Sequence, residues 1–599
     1  MPALRLTPQP KSVVPAPGHT RPGHAAGVFL DPRAGDALHE AASAFAEVLG
    51  AQYGVKLRGA ETAHGAWLKI LPREAGFAPE AHELHITPEG VTVRAGDDTG
   101  AYYALGTLLQ LTHPEGLACG VIEDAPALAE RGFMLDVSRT KVPALETILR
   151  LVNALSSLRY NRLQLYVEHT FAFPGHELVW GDSGALTPED IRTIDAHCKS
   201  RFITLVPNLN GFGHLERWLK YPEYQHLAEC PEGFWHDLAH SHRDPGTLKP
   251  NAESLAFMAS LYDAYLPHFG AAEFNVGGDE PWELGQGWSK PLCEAKGKQT
   301  VYLEHMRGLH SLCKARGKRM QFWADILLEH PERAGEAPED AVPVIWGYDA
   351  GHPFPAQCAT LKDLGRTFLV APGASTWNSF SSRWENARVN IREAVDNAVA
   401  VGAAGFLMTA WGDNGNHWAW PVMYPSLVYA ACLAWNPAAE PDLAAALDAT
   451  FFGDDGASAR ALLAYLASDA VTPKTVRNKS VLWEILFNPP ARRAAALEGV
   501  SENHLRDTLA HLECVEAAVF ALSPEGPDPF LRDELLNGVA ISRLACRRGL
   551  AEITGVPDTR LRHDLQKAIG DYERVWLLRA RVGGLAESAG HLRRVLGEL

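Results

Sequence analysis

The chain has 599 residues, of which 46% are hydrophobic and 21% charged, and its formal net charge is -17. Such a length predicts about two to four domains, one of them large. The negative balance excludes the basic face that nucleic-acid phosphates need and gives no reason for docking on an anionic membrane, and no run of about 18 apolar residues reads as a membrane span.

Residues 1–125 read as a small α+β domain. The proline-rich start, MPALRLTPQPKSVVPAPGHTRPG, has no apolar core of the kind a secretory signal carries, so a cytoplasmic protein is expected. The nine cysteines are scattered, odd in number and without a CxxC pair, which predicts reduced thiols and no disulfide framework. Leu84-His85-Ile86-Thr87 and Val91-Thr92-Val93-Arg94, joined by Pro88-Glu89-Gly90, alternate as the strands of a hairpin. A helix is predicted from Asp98, taken as its cap, with Tyr102, Tyr103, Leu105, Leu108 and Leu109 on its apolar face.

From residue 126 to 435 short apolar runs alternate with helical stretches. The runs are Gly132–Val137, Leu163–Val167, Ile203–Pro207, Phe274–Gly277, Met320–Asp325, Val342–Gly347, Phe368–Pro372 and Phe406–Trp411. Stretches of helical period lie between them, among them Leu145–Leu158, Pro188–Cys198, Ala252–Leu266 and Val301–Ala315. Eight buried strands alternating with helices predict a (β/α)8 TIM barrel. Residues 436–599 read as an α-helical C-terminal domain, its arginine-rich stretch from Arg574 to Arg594 expected to be a solvated helix face.

The fourth run ends in Gly277-Gly278-Asp279-Glu280. Two adjacent carboxylates at the carboxyl end of a barrel strand stand where such a fold keeps its chemistry, and paired acids are equipment for proton transfer at a glycosidic bond. Neighbouring strand residues point to opposite sides, so the two share a pocket only if the strand ends there, which Gly-Gly before and Pro281 after allow. The competing structural reading is a helix N-terminus with two acids in its first turn. Trp323, Trp346, Trp377 and Trp411 fall at or just after strand ends, where they either wall a sugar pocket or fill the core. His236, His240 and His242 lack the glutamate of a metalloprotease helix and sit among loop residues, so no metal is expected.

Several motifs carry a resemblance. Arg131-Gly132-Phe133-Met134-Leu135-Asp136-Val137-Ser138-Arg139, Phe212-Gly213-His214, Asn275 to Glu280 with Leu284-Gly285, Trp346-Gly347-Tyr348, His352-Pro353-Phe354, Pro372-Gly373 with Trp377-Asn378-Ser379, and Trp411-Gly412-Asp413 occur in that order. From about residue 85 to 435 the chain resembles glycoside hydrolase family 20, the β-N-acetylhexosaminidases, and within it the hexosaminidase D branch. The resemblance implies retaining exo-hydrolysis of terminal GlcNAc or GalNAc, with the substrate's own acetamide as nucleophile and an oxazolinium intermediate. It implies Glu280 as general acid and then base, and Asp279 as holder of the acetamide N–H. Tyr348 is the candidate donor to the acetamide oxygen and His214 the support behind the acid. Arg139 and Asp413 are expected on sugar hydroxyls, with Trp323, Trp346, Trp377, Trp411, Glu168 and Asn378 completing the pocket. No cofactor is implied, since the substrate supplies the nucleophile.

Three positions depart from the family pattern. His169 stands where an aspartate would support His214, leaving Glu168 to take its place; Asn275 replaces a histidine; Ala410 replaces an acid. Two rival readings remain open on the sequence. One is a non-catalytic glycan-binding protein on the same scaffold, which the retained Asp279-Glu280 pair opposes. The other is a different acetamide-participating glycosidase. The expected partner is a glycan ending in N-acetylhexosamine; a homodimer, with the C-terminal helices on a second subunit's barrel, is one arrangement the chain allows.

Overall fold

The structure is a computed structural model that describes residues 6–236, 241–471, 474, 476–526 and 528–599. Its centre is a closed barrel of eight parallel strands. In chain order these are β1 (Glu130–Asp136), β2 (Arg162–Val167), β3 (Thr204–Leu209), β4 (Glu273–Asn275), β5 (Arg319–Trp323), β6 (Val342–Trp346), β7 (Leu369–Ala371) and β8 (Gly405–Ala410). Each overlaps one of the eight apolar runs. Parallel strands buried on both faces read as continuous apolar sequence, and that is why the runs are visible. Closure pairs β8 with β1, Ala410 opposite Leu135.

The connecting helices are α1 (Leu145–Ser157), α2 (Pro188–Lys199), α3 (Ala252–Tyr265), α4 (Lys298–Ala315), α5 (Phe354–Asp363), α6 (Trp384–Val401) and α7 (Tyr424–Trp435). The helix α1 turns Ile148, Leu151, Val152 and Leu155 into the core at helical spacing. Thr187 and Asp190 cap α2 reciprocally, with Pro188 in the first turn. Between β5 and β6 the helix shrinks to Asp325–Glu329 and a following 3-10 turn.

The N-terminal part is a seven-stranded sheet with its own apolar core. His82–Thr87 and Gly90–Ala95 form the predicted hairpin. The helix Asp98–Gln110 is capped by Asp97, not Asp98: the Asp97 carboxylate accepts the Gly100 amide. Asp98, one residue on, instead pairs with Arg73 at 3.0 Å. This part packs against the amino-terminal end of the barrel, where Arg131 meets Glu80 and Arg159 meets Asp124, both at 2.6 Å.

The C-terminal part is helical and packs on the opposite end. The helix Leu561–Arg579 and the residues after it meet the loop following β1, where the Arg579 carbonyl accepts from the Ala144 amide and the Thr147 hydroxyl, both at 2.8 Å. Arg581 reaches Asp190 at 2.9 Å, and Arg217 reaches Glu587 at 2.6 Å. Ser480 donates its amide to the Asn378 carbonyl. The helices therefore ring the mouth of their own barrel.

The arginine-rich stretch is solvated in part, as expected: Arg574, Arg593 and Arg594 are exposed, but one of its arginines is not. Arg579 is buried, with Asp528 at 2.6 Å and Glu534 at 2.8 Å. Burial disfavours the guanidinium charge, and the acids around it outweigh that, holding its pKa above the usual value. Arg579→Ala leaves two buried acids uncompensated and is expected to lower stability by about 3 kcal/mol, measured by chemical denaturation. An unchanged denaturation midpoint contradicts this account. No helix among the described residues is long and apolar enough to cross a membrane.

Candidate active site

The strand β4 stops at Asn275 because the following residues cannot remain extended. Gly277, Gly278 and Glu280 have φ of 70°, 89° and 47°. A Cβ at Gly277 would lie 1.5 Å from Asn210 Oδ1, and one at Gly278 would lie 2.6 Å from Met306 Cε, so only glycine passes here. The turn ends the strand's alternation and lets Asp279 and Glu280 face one space. No helix starts at Asp279-Glu280, so the competing helix-start reading is set aside.

The two acids share one histidine. His214 Nε2 lies 3.2 Å from Asp279 Oδ2 and 3.7 Å from Glu280 Oε2. On the other side of the ring, Nδ1 faces the Arg139 guanidinium at 3.4 Å and Glu168 Oε1 at 4.0 Å. Burial disfavours charge on His214, but Asp279 outweighs it and carries the ring up to about 10. In either the imidazolium or the neutral tautomer that accepts from Arg139, Nε2 carries a proton within ion-pair distance of Asp279.

The two carboxyls differ in exposure. The Asp279 side chain is 9% exposed and the Glu280 side chain 32%. Burial raises the Glu280 pKa, Asp279 and Asp413 add to it, and His214 and Arg139 oppose it. Asp279 Oδ1 is buried with no hydrogen-bond partner in the protein. The arrangement is a half-open acid inclined to keep its proton beside a closed acid with an acceptor to spare.

Arg139 is fixed from several sides. Its guanidinium is 3.3 Å from Asp136 and 3.1 Å from Glu168, and it lies over the rings of Tyr166 at 4.6 Å and Trp411 at 5.1 Å. Glu168 also accepts from the Tyr166 hydroxyl at 2.9 Å, and burial pushes its pKa up to about 7. Burial raises Asp413 as well, with Arg139 opposing. Asp136 holds the turn, accepting the amides of Ser138, Arg139 and Gly412. Tyr166 belongs to this site yet carries no distinguishing signal in the sequence, because it reads as a core strand residue; Asp136 lies within the first motif, which does not by itself tell its role as the partner of Arg139.

The four tryptophans come together. Trp323, Trp377 and Trp411 form one buried cluster with Tyr166, and Trp346 and Tyr348 pack against it. Tyr348 stacks on Trp346 at 5.1 Å, meets Trp377 edge-on at 5.1 Å, and lies 6.3 Å from Trp411. Burial holds its phenol well above the usual pKa, so it stays an O–H donor. Trp323 Nε1 is buried without a partner in the protein.

Asn378 is engaged elsewhere: its amide donates to the Asn478 carbonyl at 3.3 Å and accepts from Asn414 at 2.9 Å. It joins the mouth to the C-terminal helices. His169 is buried and its pKa is lowered to about 3 by burial, with Arg217, Lys220 and Arg139 adding to the effect, so it is a neutral ring. His236 and His242 lie on the two strands of a hairpin, and His240 falls outside the described residues.

The family profile "Glycosyl hydrolase family 20, domain 2" matches residues 3–125, and "Glycosyl hydrolase family 20, catalytic domain" matches residues 129–377, together more than half of the chain. The chain belongs to glycosyl hydrolase family 20. It is 30% identical over 222 residues to a hexosaminidase D of Bos taurus, covering 35% of this chain and 60% of that one. It is 29% identical over 277 residues to a beta-hexosaminidase of Akkermansia muciniphila, covering 41% and 55%. The chain thus matches a little over half the length of these relatives. Its fold is shared with a chitobiase of Flavobacterium johnsoniae, at TM-score 0.61, 17% identity and 99% coverage of both chains. A family 20 exo beta-N-acetylglucosaminidase of Vibrio harveyi, solved with N-acetylglucosamine, gives TM-score 0.60 at 18% identity, covering 75% of this chain and 77% of that one.

Within this family 20 chain, Asn275 has a local task. It accepts the Gly277 amide at 3.0 Å and donates to Gln164 at 3.2 Å, inside a polar network that also contains Asn208 and Gln321.

Proposed function

We propose that this family 20 hydrolase is a retaining exo-β-N-acetylhexosaminidase that removes terminal GlcNAc or GalNAc by substrate-assisted catalysis. The observation that carries the reading is the contrast between the buried Asp279, with its free Oδ1, and the half-open Glu280 on the same histidine. Glu280 protonates the leaving oxygen, and its raised pKa favours the protonated form that this step needs. Asp279 accepts the acetamide N–H and stabilises the positive charge that develops as the acetamide oxygen closes on the anomeric carbon. Glu280, now ionised, takes a proton from water in the second step. The tryptophan walls bury the acetamide methyl and exclude bulk water.

His214 pairs with Asp279 and orients it, with Glu168 and Arg139 behind it in the role left open by His169. Arg139, Asp413 and Glu168 supply donors and acceptors for sugar hydroxyls. Trp323 Nε1 offers a further donor.

Tyr348 is the donor to the acetamide oxygen. Tyr348→Phe is expected to lower kcat by at least about tenfold, or ~1.4 kcal/mol, with the folded state unchanged by near-ultraviolet circular dichroism. A smaller loss removes Tyr348 from the mechanism.

The reading is tested with a panel of p-nitrophenyl 2-acetamido-2-deoxy-β-glycosides on the wild type and Glu280→Gln. Turnover by the wild type, and slower turnover by Glu280→Gln, is the expected result. A wild type that binds N-acetylglucosamine and releases no nitrophenol points to a glycan-binding protein instead. The division of the chain at residues 125/126 and 435/436 and its cytoplasmic residence belong to the same proposal; all nine cysteines are unpaired, which suits a reducing compartment.

A further inference from the structure

Asp325 lies behind the catalytic turn and has no part in the mechanism above. It follows Trp323-Ala324 at the end of β5 and opens the short helix Asp325–Glu329. Its Oδ2 accepts the backbone amide of Glu280 at 3.1 Å. Glu280 is the residue forced to φ 47°, a left-handed conformation that a side-chain-bearing residue keeps only when its surroundings hold it there.

We propose that Asp325 is a positioning residue for Glu280: by accepting the Glu280 amide it fixes the left-handed turn that aims the acid into the mouth. This rests on the hexosaminidase reading and adds a residue to it.

The surroundings of Asp325 fit this role. Asp279 and Glu280 face it from the turn after β4, Tyr302 from α4 and the Trp346 indole from the end of β6, with Glu329 on its own helix. The histidine of the site, His214, pairs with Asp279 and Glu280. Burial raises the Asp325 pKa and Asp279 adds to it, while the Glu280 amide opposes it.

The test compares Asp325→Ala and Asp325→Asn with the wild-type full chain. Asparagine keeps an acceptor for the amide and removes the ionisable proton; alanine removes both. Asp325→Ala is expected to lose about 100-fold in kcat with KM within about threefold, because the sugar-binding side chains are untouched. Asp325→Asn is expected to keep kcat within about fivefold of wild type, because it retains the acceptor for the Glu280 amide. Hydrogen exchange in the peptide spanning residues 274–284 is expected to accelerate in Asp325→Ala and not in Asp325→Asn. The proposal is overturned by an Asp325→Ala kcat within threefold of wild type, by equal loss in the two variants, or by unchanged exchange in Asp325→Ala. The exchange measurement needs no turnover, so it still decides the amide contact if the wild type proves inactive and the hexosaminidase reading fails.

Discussion

Glu280→Gln is expected to lower kcat/KM on an unactivated N-acetylhexosaminide by about 10³-fold, within the 10²–10⁴ that a positioned general acid supplies. Glutamine fills the same space, so the turn at Gly277-Gly278 and the pairing of Asp279 with His214 stay intact. What is lost is the proton for the leaving oxygen. An aryl glycoside with a good leaving group needs that proton less, and its first step should suffer less. The alkaline limb of the pH profile provides a second check. Glu280 has a raised pKa and acts in its protonated form, so wild-type activity falls as pH rises through that pKa; in Glu280→Gln this limb should vanish. A variant that retains full activity on the unactivated substrate, or keeps the limb, assigns the acid elsewhere.

The sequence made the barrel easy to read and the mouth harder. Strands such as Leu163–Val167 are buried on both faces, so they stand out as apolar runs whatever their neighbours are. Gly277-Gly278-Asp279-Glu280 stands out for a related reason, since two glycines in succession mark backbone that no side chain tolerates. Asp325 has no such mark. A single acid at the start of a short helix looks like an ordinary N-terminal acid that offsets the helix dipole, and only the fold brings it under Glu280. Tyr166 is hidden in the same way inside an apolar strand. The long C-terminal helices show an apolar face at helical spacing, but the spacing does not say what covers it. In the structure it is partly the mouth of their own barrel, held through buried partners such as the Thr147 hydroxyl with the Arg579 carbonyl and His417 with the Ser588 carbonyl. Those contacts span up to some hundreds of residues in sequence, beyond the reach of periodicity.

Asp279→Asn should cost about 10²–10³ in kcat, the scale of removing one preorganised electrostatic partner from a transition state. KM for the sugar should change little, because Arg139, Asp413 and the tryptophans still hold the ring. Asparagine keeps an oxygen near His214 but removes the charge that outweighs burial. The His214 pKa should therefore drop from about 10 toward or below its ordinary 6.5. That change has a readout independent of turnover. A histidine whose folded pKa is raised contributes stability that is fully present below its unfolded pKa, near 6.5, and is lost as pH rises through about 10. The wild type should accordingly lose stability relative to Asp279→Asn across that interval, and thermal melts of the two proteins from pH 6 to about 10.5 should converge as the pH rises. Parallel melting curves over the whole range would mean that Asp279 does not charge His214. A kcat within about threefold of wild type would mean that Asp279 does not hold the substrate's nucleophile.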